Sequence, residues 1–231
     1  CCVHDCETTS MITAEFLCFR NLAIDALTIN PGITTIMGAN GSGKTTFLKL
    51  CAGIAVPDSG TLLIDDVPPR ETETGWVNEF PDRNILFVNV FDEIASPLRF
   101  RRIPCHEIDA NVSACAKAMG ITHLLKRAVR ELSGGEKVLV SLAAALVHHP
   151  KVLVLDEYDS HLDARSLAKI EQGIRASGAD YVIRCTQQMD TAINSDHLLF
   201  FDAGRITLAG TPALVFPFLK STAYYPVLWG C

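Results

Sequence analysis

The stretch Gly38-Ala39-Asn40-Gly41-Ser42-Gly43-Lys44-Thr45-Thr46 decides how this chain is read. It fits the phosphate-binding pattern GxxxxGK[ST] at every fixed position. An apolar, β-branched run at 33–37 (ITTIM) reads as a buried strand leading into it. The run 44–52 (KTTFLKLCA) reads as the helix that leaves it. Glycines let the backbone curl so that successive N–H groups point at one anion. The start of the following helix adds partial positive charge at the same spot. In such a loop Lys44 reaches the β- and γ-phosphates of a nucleotide and the Thr45 hydroxyl holds Mg²⁺. Gly38 through Thr46 are therefore the expected nucleotide contacts.

The rest of the composition bounds the answer without deciding it. A length of 231 residues supports a sizeable core, read as one domain with room for an inserted subdomain. Hydrophobic residues at 48% and charged residues at 20% give a globular balance that argues against extensive disorder. The net charge of −6 and the lack of a basic tract make nucleic acid a poor partner. The longest apolar stretches, 138–147 and 152–155, fall short of the ~20 residues needed to cross a bilayer. Membrane contact is thus expected only through partners. Several of the nine cysteines (Cys18, Cys51, Cys115, Cys185) lie in apolar segments and read as buried free thiols of a reducing cytoplasm. Cys1, Cys2, His4 and Cys6 match no zinc spacing, and Met11 opens the first strand-like run, so residues 1–10 read either as a disordered leader or as a stretch that owes its presence to where the chain was started.

Strands are expected at 12–19, 26–29, 33–37 and 61–64, the last after the turn Pro57-Asp58-Ser59-Gly60. Residues 92–150 have mostly helical periodicity, with breaks expected at Pro97 and Pro104. A short continuous apolar run at 151–156 (KVLVLD) reads as a strand buried on both faces. A helix at 164–176, a strand at 181–184, a helix from Met189 and a strand at 198–202 follow. This alternation argues for an α/β fold with a largely parallel sheet covered on both faces. Ala203-Gly204 turns the chain into 206–209 as a hairpin, and the tail beyond Thr211 is short and apolar.

Two further motifs share the order of the first. Leu132-Ser133-Gly134-Gly135-Glu136 precedes an apolar helix and would present that helix's N-terminus to a phosphate. Ser133 lies 89 residues after Lys44 and 23 before Asp156. Val152-Leu153-Val154-Leu155-Asp156-Glu157 ends a strand in two carboxylates, at the sheet edge where open α/β folds bind ligands. Asp156 would bind Mg²⁺, and Glu157 would polarise the attacking water as general base.

On these motifs, residues 12 to about 220 resemble an ATP-binding cassette (ABC) ATPase, the nucleotide-binding subunit of an ABC transporter. The resemblance implies the phosphate-loop NTPase fold of that family: a mostly parallel core, an antiparallel β part and a helical subdomain at about 90–148. That domain would span 11–231. It further implies ATP hydrolysis with Mg²⁺, at the cytoplasmic face of a membrane. Two subunits, alike or different, would lie head to tail, with ATP between one subunit's loop and Ser133, Gly134 and Gly135 of the other. The segment Ser160-His161-Leu162-Asp163 would be the D-loop, with Asp163 at the seam. The helical stretch would dock on a transmembrane permease or scaffold subunit.

The chain departs from the family's pattern at several positions. Glu79 stands where the family carries Gln, and can still bind Mg²⁺ through oxygen. Gln187, in Thr186-Gln187-Gln188-Met189-Asp190, replaces the switch histidine and carries no positive charge, which implies slower hydrolysis. The adenine-stacking aromatic has Phe19 as its nearest candidate, while the expected position holds Asn21; Phe19 reads equally as core. Tyr158 replaces the usual Pro after the catalytic Glu. Phe80-Pro81-Asp82-Arg83-Asn84-Ile85-Leu86-Phe87 followed by Val90-Phe91-Asp92-Glu93-Ile94-Ala95 is similar to the energy-coupling-factor type, which implies uptake of a vitamin or metal ion. Two alternatives stay open: the ATPase of an exporter, and a regulatory module with little turnover, to which Gln187 and Glu79 point.

Overall fold

The computed structural model describes residues 10–80, 85–160 and 162–226. The expectations for residues 1–9, for 81–84 of the energy-coupling-factor-like segment and for His161 lie outside them.

Two sheets organise the chain. Strands β1 (Ile12–Phe19), β2 (Leu22–Ile29) and β4 (Ser59–Ile64) form an antiparallel sheet in the order β2-β1-β4. The larger sheet has six strands in the order β5-β6-β7-β3-β8-β9. These are β3 (Gly32–Gly38), β5 (Thr74–Val77), β6 (Val152–Asp156), β7 (Tyr181–Cys185), β8 (His197–Asp202) and β9 (Arg205–Gly210). All its pairings are parallel except the closing β8–β9 hairpin. Because β3, β6 and β7 run parallel and adjacent, Gly38, Asp156 and Cys185 end on one edge, and the loops that follow them share a rim.

The pattern of β6 explains why that sheet is buried on both sides. Leu153 and Leu155 belong to a core under the helices, while Val152 and Val154 face the core shared with the antiparallel sheet. A continuous apolar run satisfies both, because successive side chains of a strand point to opposite faces. The first core lies under α2 (Val90–Phe100), α3 (Cys105–Ala118), α4 (Gly134–Leu146) and α5 (Ala164–Arg175). The second lies between β1, β2 and the sheet and takes in Phe47, Leu48 and Leu50 of α1 (Lys44–Cys51), with Phe47 against Phe201 at 5.5 Å between ring centroids. Short α6 (Met189–Ile193) and α7 (Pro212–Val215) close a smaller cluster around Met37, Leu198 and Phe216.

Three sequence expectations need correction. Pro97 does not break its helix: α2 runs through it. Proline removes the N–H that would bond the Glu93 carbonyl, and the Ser96 hydroxyl donates to that carbonyl instead, at 2.8 Å. Pro104 does mark a boundary, at the N-cap of α3. Cys18 is exposed, because along β1 Leu17 points inward and its neighbour out, and Cys115, on α3, is half-buried. Cys51 and Cys185 are buried, and burial pushes both thiols well above their ordinary range. Strand β5 has no counterpart in the sequence reading. Its four residues are too short for a periodic signal, and Gly75 is what lets it approach α4: a Cβ there would meet the Ala145 carbonyl oxygen at 2.5 Å.

Candidate nucleotide-binding site

Strand β3 delivers the chain to the rim at Gly38. The backbone there turns to φ +140°, and a Cβ would lie 2.1 Å from the carbonyl oxygen of Phe201 on β8. Gly43, at φ +105°, then starts α1 with no side chain capping its first turn. The opening N–H groups of α1 are thus left to whatever occupies the loop. A cavity of about 480 Å³ opens above them, lined by Asn21, Asn40, Gly41, Gly43, Lys44, Thr45, Thr46, Glu79, Asp156 and Glu157.

Lys44 is almost fully buried. Its ammonium donates to the carbonyls of Gly38 at 2.9 Å and Ala39 at 3.0 Å and stands 4.0 Å from Glu157. The Ala39 carbonyl also takes the Ser42 N–H, while the buried Ser42 hydroxyl has no hydrogen-bond partner. The Thr45 hydroxyl donates to Asp156 at 3.2 Å. Burial raises the Asp156 carboxyl above the ordinary range; the Thr45 hydrogen bond opposes this, and the charges of Glu157 and Glu79 add to it.

Glu157 is held in a left-handed backbone conformation, φ +43°, a departure that costs a side-chain-bearing residue on the order of 1–3 kcal/mol. Its N–H donates to the carbonyl of Cys185 at 3.1 Å. The Gln187 amide, reaching over from the end of β7, donates to its carboxylate at 3.1 and 3.2 Å and to Asn40 Oδ1 at 3.2 Å. One side chain from each of three loops therefore meets at the rim.

These residues fit a magnesium nucleotide. Uncapped N–H groups and an orphaned buried hydroxyl suit phosphate oxygens. A carboxylate with raised proton affinity, beside two other acids, suits a divalent cation. Among the described residues no three His, Cys, Asp or Glu side chains form a metal cage.

Not every candidate meets here. Phe19 does not line the cavity; it is half-buried against the antiparallel sheet's core, with the Arg20 guanidinium 5.2 Å from its ring centre, and Asn21 takes the place at the wall. Ser133, Gly134 and Gly135 are also absent from the lining. They begin α4 in a capping box: the Ser133 hydroxyl accepts from the Glu136 N–H, and the Glu136 carboxylate accepts from the Ser133 N–H at 2.8 Å. Asp163 caps α5 by accepting from the Ser166 N–H at 2.8 Å.

Sequence reasoning missed one feature of this rim. Arg184, on the central strand β7, is fully buried. Its guanidinium donates to both carboxylate oxygens of Glu171 on α5 at 2.8 Å, to the Tyr158 hydroxyl at 3.2 Å, to Thr35 Oγ1 at 2.9 Å and to the Thr191 carbonyl. The signal was present: an arginine inside an otherwise apolar strand must have buried partners.

The fold and this rim define a phosphate-loop nucleotide-binding protein. Residues 23–160 match the family model described as "ABC transporter", and the chain belongs to the ABC transporter family, as an ATP-binding ATPase subunit. It is 32% identical over 221 residues to the energy-coupling factor transporter ATP-binding protein EcfA1 of Mycoplasmopsis pulmonis, across 88% of this chain and 83% of that one. It is 33% identical to the trehalose/maltose import ATP-binding protein MalK of Thermococcus litoralis, of which it spans about half (52%). Among solved structures, cbiO1 from Clostridium perfringens, described as part of the ABC transporter complex cbiONQ, superposes with a TM-score of 0.80 at 27% identity, over 92% of this chain and 93% of the other. A bacterial Atm1-family exporter with ATP bound shares the fold, with a TM-score of 0.77 at 24% identity, over 96% of this chain and 42% of the other.

Proposed function

We propose that this subunit uses ATP to power uptake of a solute through a membrane partner, in the manner of an energy-coupling-factor transporter. One observation carries the chemical part: Lys44, Thr45, Asp156, Glu157 and Gln187 converge on one rim of the sheet. Lys44 and the loop's N–H groups bind the phosphates. Thr45 and Asp156 would hold Mg²⁺, with Glu79 at the same cavity wall, and the bound ion would supply neutralisation of phosphate charge. Glu157 accepts the proton of the attacking water, and Gln187 orients that carboxylate and donates to the phosphate as it is transferred.

Ser133, Gly134 and Gly135 serve the nucleotide of a second ABC subunit, head to tail, which accounts for their distance from the cavity. The membrane partner binds the helical side. A cavity of about 460 Å³ between β5, α2 and α4 is lined by Trp76, Leu86, Phe100 and Arg101, and the Ser141 hydroxyl and His148 Nδ1 beside it lack hydrogen-bond partners. Among the described residues no helix is long and apolar enough to cross a membrane. The importer reading rests on the relatives, which include a trehalose/maltose importer and an energy-coupling-factor subunit.

ATP turnover by the full chain, beside Glu157→Gln, tests the chemical reading. Turnover abolished by that change, with ATP still bound, is expected. Turnover that survives it removes Glu157 as the base.

A further inference from the structure

We propose that Arg184, Tyr158 and Glu171 are positioning residues of this site, forming a buried clamp that sets the geometry of the Glu157–Gln187 pair. The proposal rests on the reading of Glu157 as the base. Glu157 lies between two fixed neighbours. On one side Asp156 is locked to Cys185 in the β6–β7 ladder. On the other, Tyr158 is buried, with its hydroxyl donating to Glu171 and accepting from Arg184. With both ends held, the residue between must absorb the turn, and it does so at φ +43°.

The same guanidinium brackets Gln187. Arg184 is three residues before it on β7, and its other end holds the Thr191 carbonyl on α6, four residues after. Thr186 and Gln188, flanking Gln187, are tied in turn to the buried Asp159: the Thr186 hydroxyl donates to its carboxylate and the Gln188 amide to its carbonyl at 2.7 Å. One buried cation thus fixes the backbone on both sides of the amide that bonds Glu157. Glu171 anchors the cation to α5, the helix that Asp163 caps. A guanidinium suits this task because its planar fork binds several acceptors in set directions, which an ammonium does not.

Removing the guanidinium would leave Glu171 without its counter-charge and risks unfolding, so the informative changes are milder. Tyr158→Phe deletes one hydroxyl, and Glu171→Gln keeps shape while removing charge. Single-turnover ATP hydrolysis, ATP affinity, melting temperature and a crystal structure would be measured on the full chain, beside Glu157→Gln. The expected result for Tyr158→Phe is a rate of hydrolysis lowered about tenfold, affinity and melting temperature nearly unchanged, and Gln187 displaced from Glu157. A rate within twofold of the unaltered chain overturns the proposal, as does a loss of affinity, stability and rate in parallel, which marks a purely structural network. If Glu157→Gln itself leaves the rate intact, the reading of the base has failed. If Glu157→Gln abolishes it while Tyr158→Phe does nothing, only the clamp has failed.

Discussion

At the scale of single residues, the site is governed by two side chains whose charge differs from what their position invites. Gln187 offers a neutral amide where a cation would bind phosphate more strongly. Hydrogen bonds from a charged donor are worth roughly twice those from a neutral one, so Gln187→His is expected to raise turnover roughly three- to tenfold. A steady-state assay with the assembled complex checks this, and an unchanged rate would refute it. Asp156 is the second case. In the folded chain its carboxyl titrates above the ordinary range, chiefly through burial. Between the ordinary and the raised value the folded state holds a proton that the unfolded state has released. This group's contribution to stability therefore falls as pH rises through that window and levels off above it. Asp156→Asn should remove that slope and raise the nucleotide-free melting temperature by a few degrees, while weakening Mg²⁺-dependent ATP binding. Thermal melts at several pH values in chelator decide the matter; a variant with an undiminished slope would rule Asp156 out as its source.

Elements show where sequence was informative and where it stopped. The strand–loop–helix unit of β3 and α1 was legible because every part of it is local: β-branched residues, then glycines, then a helix. The Asp156-Glu157 end of β6 was legible for the same reason. Strand β5 was not, since four residues carry no period. Pro97 misled because the repair of the carbonyl it frees depends on a single adjacent serine. Arg184 was visible only as an oddity, since its partners come from β3, α5, α6 and the turn after β6, and no local pattern announces such a meeting. At this scale the capping box of α4 gives a plain prediction. Ser133→Ala should cost about 1 kcal/mol of stability, seen as a lower urea midpoint with an unchanged slope. No change in midpoint would mean that packing alone fixes the start of α4.

For the whole molecule, the separation of Ser133, Gly134 and Gly135 from the Lys44 cavity makes the site incomplete within one chain under the head-to-tail reading. That arrangement is testable by mixing. Lys44→Ala and Ser133→Arg subunits should each be inactive alone. Mixed in equal amounts, they should recover roughly a quarter of full turnover, because half the dimers pair both defects at one nucleotide and leave the other intact. A mixture as inactive as its parts would place each site within a single chain.

The cluster of acids at the rim has one more consequence, for the protein's survival. Asp156, Glu157 and Glu79 line one cavity, with Lys44 4.0 Å from Glu157 and the charge of Lys49 opposing the acids at Asp156. A bound magnesium nucleotide would relieve the repulsion among the acids and stabilise the fold by mass action. Proteases that attack opened chains would then clear this subunit faster when cellular ATP is depleted, making its abundance follow the cell's energy supply. Limited proteolysis with and without Mg·ATP would measure the difference, and equal half-lives would deny the link.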